Sequence, residues 1–177
     1  GLFRYRLFDL VPVARTVLAS GRGDPLGAEG ILDALREHVL PLATIATPNL
    51  PEARTLAGGR DQDEEDCARR ILELGCRHVL VTGTHADTDD VANVLYGPEG
   101  RIREDRWARL PGSYHGSGCT LASAIAARLA QDAPLDVACR EAQEFTWQAL
   151  SAGFRPGTGQ HIPDRFFWVR NVARAAG

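Results

Sequence analysis

The chain has 177 residues, 44% of them hydrophobic and 24% charged, with a formal net charge of −3. That balance is globular; the length suits one domain over 1–177 with its own core, the acidic charge offers no footprint for nucleic acid, and no apolar run can span a membrane. Residues 1–10 lack the ordered regions of a secretory signal, and Cys67, Cys76, Cys119 and Cys139 show no CxxC spacing, so the expectation is a cytoplasmic protein with reduced thiols.

Residues 1–18 show no clear period, and Ala19–Pro25 reads as a loop from its Gly and Pro content. Ile31, Leu32, Leu35, Val39 and Leu40 recur at near-helical spacing, which predicts a helix over 28–40. Ala43–Thr47 is a short strand stopped by Pro48. Asn49 then caps a helix through Leu56, with Pro51 in its first turn and Gly58-Gly59 as its end. Asp63–Leu74 is a second helix, with Cys67, Ala68, Ile71 and Leu72 inward and Gly75 as its stop; His78–Thr82 is a buried strand. Asn93–Tyr96 and Arg101–Trp107 form a hairpin across Gly97-Pro-Glu-Gly100. A glycine turn at 116–118 leads into the helical run Leu121–Ala130, and Leu135–Ala152 is a long amphipathic helix. A Gly/Pro-rich loop follows, and then the aromatic tail Phe166-Phe167-Trp168, read as packing. Strands alternating with helices, interrupted by one hairpin, predict an α/β layered fold with a largely parallel sheet. Ligands in such sheets collect at strand carboxyl ends, where Thr47-Pro-Asn, Thr82-Gly-Thr-His and the 112–119 loop would share one rim.

Three motifs on that rim can carry chemistry. In Gly116-Ser117-Gly118-Cys119 the glycines permit a tight turn and close approach of a ligand, and the following helix presents unpaired amides and partial positive charge. The amides of Ser117, Gly118 and Cys119 would hold a phosphate, and Cys119 would take a proton from a substrate hydroxyl. A plain glycine turn with Cys119 as a small packed residue satisfies the same string. Asn49 and Glu52 are neighbours on a first helical turn and could hold waters around Mg²⁺; the same spacing makes a capping box. Thr82, Gly83, Thr84 and His85 follow a buried strand and suit phosphate or ribose contacts, or a simple strand-to-loop turn. Asp87, Asp89 and Asp90 read as a solvated loop, and the Asp63–Asp66 cluster as charges placed by the helix dipole.

In order and spacing, Thr47-Pro-Asn-Leu-Pro-Glu-Ala53, Val79-Leu-Val-Thr-Gly-Thr-His85 and His115-Gly-Ser-Gly-Cys-Thr-Leu-Ala122 resemble the hydroxymethylpyrimidine/phosphomethylpyrimidine kinases, thiamine-pathway members of the ribokinase-like superfamily. The resemblance runs from about Val17 to about Trp168. It implies a three-layer sandwich with a mostly parallel central sheet, in which residues 1–177 form the C-terminal, ATP-binding part. It implies ATP-dependent phosphorylation of hydroxymethylpyrimidine and then of its monophosphate. Cys119 would be the base, the Gly116–Cys119 turn the phosphoryl site, Asn49 and Glu52 the organisers of Mg²⁺, and Thr82–His85 the nucleotide side. Sugar and adenosine kinases of the superfamily carry Asp where this chain has Cys119.

Two departures from the family pattern stand out. Residues 1–16 do not resemble the family's N-terminal part, which supplies most of the pyrimidine pocket. Arg15-Thr16 stand where the family has Asp-Pro, inverting the local charge; Thr82 replaces a common lysine. An N-terminally truncated kinase is therefore expected, with a non-catalytic nucleotide-binding remnant and a pyridoxal-type kinase as alternatives. Unpacked apolar surface would favour self-association, with a homodimer as one form.

Overall fold

The computed structural model describes residues 13–14, 30–59, 62–83 and 88–169. The expected loop at 19–25, the Arg15-Thr16 departure, and Thr84 and His85 lie outside the described residues.

Five strands lie side by side in chain order: β1 (Val13–Ala14), β2 (Ile45–Ala46), β3 (Val79–Thr82), β4 (Asp90–Gly97) and β5 (Gly100–Ala108). β1, β2 and β3 pair in parallel; β4 runs antiparallel to β3, and β5 antiparallel to β4. Four of the five strands therefore point the same way. The hairpin is longer than its apolar stretch suggests, because backbone pairing continues back from Asn93↔Asp105 through Ala92↔Arg106 to Asp90↔Ala108, and it ends at Gly97↔Gly100 around Pro98-Glu99. Gly100, at φ 106, takes the left-handed conformation that the return requires.

The helix expected over 28–40 is broken into three turns. Ile31–Ala34 is α-helical (α1), Leu35–Val39 is π-helical and Leu40–Leu42 is 3₁₀. The Leu40 amide bonds the carbonyl of Leu35, five residues back, and Pro41 has no amide with which to continue an α-helix. The other helices follow their sequence signals. These are α2 (Leu50–Ala57), α3 (Glu64–Glu73), α4 (Ser117–Leu129) and α5 (Leu135–Ser151). Asp63 caps α3 by accepting the Asp66 amide at 2.8 Å. Among the described residues, no helix is long and apolar enough to cross a membrane.

Alternation along the strands builds two cores. Ala46, Val79, Val81, Val94 and Tyr96 face one way and pack with Ala53, Leu56, Cys67, Ala68 and Ile71 of α2 and α3. Ile45, Leu80 and Leu95 face the other way and pack with Leu121, Ile125, Cys139 and Ala142 of α4 and α5. The result is a helix–sheet–helix sandwich. The aromatic tail is only partly packing: Phe167 meets Phe145 at 5.5 Å between ring centroids, whereas Phe166 and Trp168 are 69% and 53% exposed.

Leu80 is fully buried at the centre of the α4/α5 core. Truncation there removes transfer energy and leaves a cavity, so Leu80→Ala is expected to lower unfolding free energy by about 2–5 kcal/mol, read by equilibrium chemical denaturation.

Candidate active site

The rim begins where β2 and β3 end. Thr82, the last residue of β3, bridges Asn49, and its amide donates to the Pro48 carbonyl at 2.9 Å. Two motifs separated by about thirty residues of sequence are thus in backbone contact. On the β1 side, the Thr47 amide donates to Ala14 O at 3.1 Å.

Asn49 and Glu52 form a complete capping box. The Asn49 amide donates to Glu52 Oε2 at 3.0 Å, and the Glu52 amide donates to Asn49 Oδ1 at 2.9 Å. The pair is therefore fixed as the start of α2, whatever else it does. Glu52 is buried. Beside it, Thr47 is 2% exposed, and its Oγ1 has no hydrogen-bond partner among the described residues. A buried hydroxyl left unmatched at a strand end is uncommon, because an unsatisfied polar atom costs roughly 1–3 kcal/mol.

Gly83 leaves the end of β3 with its amide donating to Asn93 Oδ1 at 3.1 Å. A side chain at this position would run into the carbonyl oxygen of Ala92, so only glycine lets the chain leave the sheet along this path. Of the four expected nucleotide-side residues, Thr82 and Gly83 are therefore placed at the strand end.

The glycine turn opens α4. Gly116 is its N-cap at φ 87, a conformation natural to glycine, and no side chain caps the helix. The first-turn amides of Ser117, Gly118 and Cys119 precede the first return bond, Thr120 N to Gly116 O at 3.0 Å. Thr120 Oγ1 also donates to Gly116 O, at 2.8 Å. α4 follows the carboxyl end of β5, which runs in the same direction as β1–β3, so its N-terminus opens at the edge of the sheet that carries Asn49 and Thr82.

The C-terminal loop buttresses this turn, a contact no local sequence signal announces. His115 N donates to His161 O at 2.8 Å and His161 N to Ser113 O at 2.9 Å, with the Tyr114 and His161 rings 5.5 Å apart. Arg165 Nε donates to Thr120 Oγ1 at 3.0 Å, and one terminal nitrogen of that guanidinium lies 3.1 Å from where a Gly116 Cβ would stand. Gly116 is thus favoured by its backbone angle, and a side chain there would also press on the end of Arg165. Arg165 escaped the sequence reading because it lies 45 residues from Thr120.

The cysteines divide sharply. Cys67, Cys76 and Cys139 are buried and Cys119 is exposed. Burial raises the thiol pKa of Cys67 and Cys76. For Cys139, burial together with the nearby Asp105 and Asp136 carboxylates pushes it up to about 12.

A layered α/β sandwich with a mostly parallel sheet is the arrangement of the ribokinase-like kinases. Bacillus subtilis pyridoxal kinase, solved as its ADP complex, superposes with a TM-score of 0.78 at 30% identity, over 89% of this chain and 61% of that one. The phosphomethylpyrimidine kinase of Clostridium difficile gives 0.62 at 28% identity, over 78% and 56%. The phosphomethylpyrimidine kinase family profile matches residues 6–164, and the chain belongs to that family. It is 40% identical to the hydroxymethylpyrimidine/phosphomethylpyrimidine kinase of Streptomyces coelicolor, over 85% of this chain and 57% of that protein. It is 39% identical to the enzyme of the same name from Synechococcus elongatus, over 94% and 62%. The chain thus spans about three fifths of the length of these relatives.

Because the thiolate is the reacting form of cysteine, exposure and burial together predict selectivity. Iodoacetamide at neutral pH should alkylate the folded protein once, at Cys119, and all four cysteines after denaturation; intact-mass and peptide mass spectrometry read both.

Proposed function

We propose that the whole protein carrying these residues is an ATP-dependent kinase that phosphorylates the hydroxymethyl group of a pyrimidine and then the resulting monophosphate, supplying thiamine biosynthesis. The observation that carries this reading is the uncapped first turn of α4, with Cys119 exposed within it, on a chain whose family is phosphomethylpyrimidine kinase. ADP in the Bacillus subtilis neighbour supports ATP as the phosphoryl donor.

In this reading Cys119 Sγ accepts the proton of the substrate hydroxyl as that oxygen attacks the γ-phosphorus. The bond from the γ-phosphorus to the bridging oxygen of ADP breaks, and ADP leaves with the electron pair. The amides of Ser117, Gly118 and Cys119 stabilise charge on the transferring phosphoryl oxygens. They are already held by the Gly116 turn, so they need not reorganise during transfer. Thr82 and Gly83 line the nucleotide side, with Thr84 and His85 continuing it.

Mg²⁺ would sit at the α2 start. Asn49 and Glu52 offer oxygen ligands of the hard type Mg²⁺ takes, and the unmatched Thr47 Oγ1 beside them suits a hydrated ion. With both side chains already engaged in the cap, they would act mainly on the ion's water shell. When bound, the ion supplies charge neutralisation to the nucleotide phosphates.

A pyridoxal-type kinase is the second reading, favoured by the pyridoxal kinase neighbours at about 30% identity. It performs the same chemistry on a hydroxymethyl group of a different ring, and parallel kcat/KM measurements on the two substrates separate the readings.

Coupled ADP release should depend on hydroxymethylpyrimidine and Mg-ATP. Cys119→Ala should reduce kcat by about 10²-fold or more, the scale of a lost positioned base, while ATP still binds by calorimetry; full turnover in this variant would sink the assignment of the base. Glu52→Gln should separate cap from metal function, since Gln serves a capping box as well as Glu. The cap should persist in this variant, while the Mg²⁺ concentration for half-maximal rate rises several-fold.

A further inference from the structure

The face of the sheet beneath α5 is not wholly apolar. Asn93, Asp105 and Gln143 are 7%, 6% and 3% exposed, and they form one chain of hydrogen bonds from β5 through α5 to β4. Gln143 Nε2 donates to Asp105 Oδ2 at 3.0 Å. Gln143 Oε1 accepts from Asn93 Nδ2 at 2.9 Å and from Trp107 Nε1 at 3.1 Å. Asn93 Oδ1 then accepts the Gly83 amide at 3.1 Å. At the far end, Arg103 Nε donates to both Asp105 oxygens, at 2.8 and 3.0 Å, and Arg140 lies 3.5 Å from one of them.

The chain has a direction. An ionised carboxylate only accepts, so Asp105 draws the NH₂ end of the Gln143 amide towards itself. Gln143 must then present its oxygen to Asn93 and Trp107, both of which offer N–H groups. Asn93 is thereby turned with its NH₂ towards Gln143 and its oxygen towards Gly83. Each amide has one orientation that satisfies it, and in a buried site the wrong orientation leaves donors facing donors. The last acceptor in the relay holds the first residue after β3, where the chain enters the segment proposed above to meet the nucleotide.

We infer that Asn93 and Gln143 are positioning residues for nucleotide binding: the buried relay from Asp105 orients the Gly83 amide and with it the backbone that leaves β3. The inference rests on the kinase reading and adds two residues to it that lie outside the three rim motifs. Neither touches the nucleotide in this account; both act through the backbone at Gly83.

The test measures steady-state kinetics with hydroxymethylpyrimidine and Mg-ATP alongside the melting temperature. Asn93→Leu, close in volume, removes the acceptor that holds the Gly83 amide. This variant and Gln143→Leu should raise KM for ATP about three- to tenfold, the scale of one misdirected hydrogen bond, while KM for the pyrimidine and kcat at saturating ATP change less than twofold. Asn93→Asp, which keeps an acceptor for the Gly83 amide, should leave KM for ATP within twofold of the wild-type value even where the melting temperature falls. Hydrogen exchange at the Gly83 amide should quicken in Asn93→Leu and stay slow in Asn93→Asp. If the melting temperature falls while KM for ATP stays unchanged in Asn93→Leu and Gln143→Leu, the residues are structural only and the inference is overturned alone. If the wild-type protein does not bind ATP, the kinase reading falls and the inference with it.

Discussion

The hydrogen bond from the Thr82 amide to the Pro48 carbonyl, with the Asn49↔Thr82 bridge beside it, is the join on which the rim depends. β2 is only two residues long, and its parallel pairing with β3 would end with Ala46↔Val79 without this continuation. Proline contributes here what it can, a carbonyl, and withholds the donor that would extend the strand. The chain then turns directly into α2, so the end of the ladder and the start of the helix are one event. Asn49 takes part in both, bridging a strand end with its backbone and capping α2 with its side chain. A shift of β3 by one residue would carry Thr82 away from Asn49 and at the same time exchange Leu80 with its neighbours Val79 and Val81 between the two cores. The geometry of the rim is thus held by apolar packing on both faces of the sheet.

The two sides of the rim are made rigid by different means. At α2 the capping box satisfies two amides with two side chains, which leaves little freedom in the first turn. At α4 no side chain caps the helix, and the first-turn amides remain available to a ligand. The rigidity of that turn comes instead from behind, through Thr120 on the Gly116 carbonyl, Arg165 on Thr120, and the pairing of 113–115 with His161. The first-turn amides of α4 are thus left unspent by its own side chains, and the support of the turn comes from elsewhere in the chain.

Much of this was legible in the sequence, and the parts that were not share a cause. The helices at Leu50–Ala57, Glu64–Glu73 and Leu135–Ser151 announce themselves by caps and periodicity, and the Asn49-to-Glu52 spacing states its own geometry. The segment at 31–42 misled because its apolar residues keep a helical period while Pro41 denies the α-helical bond pattern. Phe166 and Trp168 misled because aromatic content alone does not decide burial. The contacts of Arg165 with Thr120, and of Gln143 with Asn93 and Asp105, join residues 38 to 50 positions apart. No short-range pattern encodes them. Asn93 illustrates this well: in the sequence it is only the polar start of an expected strand, and the facing helix reveals what the amide is for.

The hairpin has a bearing on how the chain assembles. β4 and β5 close around Pro98-Glu99 alone, whereas pairing Val13 with Ile45 requires the closure of a loop about thirty residues long. Loop entropy makes the first contact cheap and the second slow. The hairpin also carries Asn93, Asp105 and Trp107, three of the four side chains of the buried relay, and awaits only Gln143 from α5. The surface against which Gly83 is held can therefore form from local chain, ahead of the parallel pairings that bring the rest of the rim together.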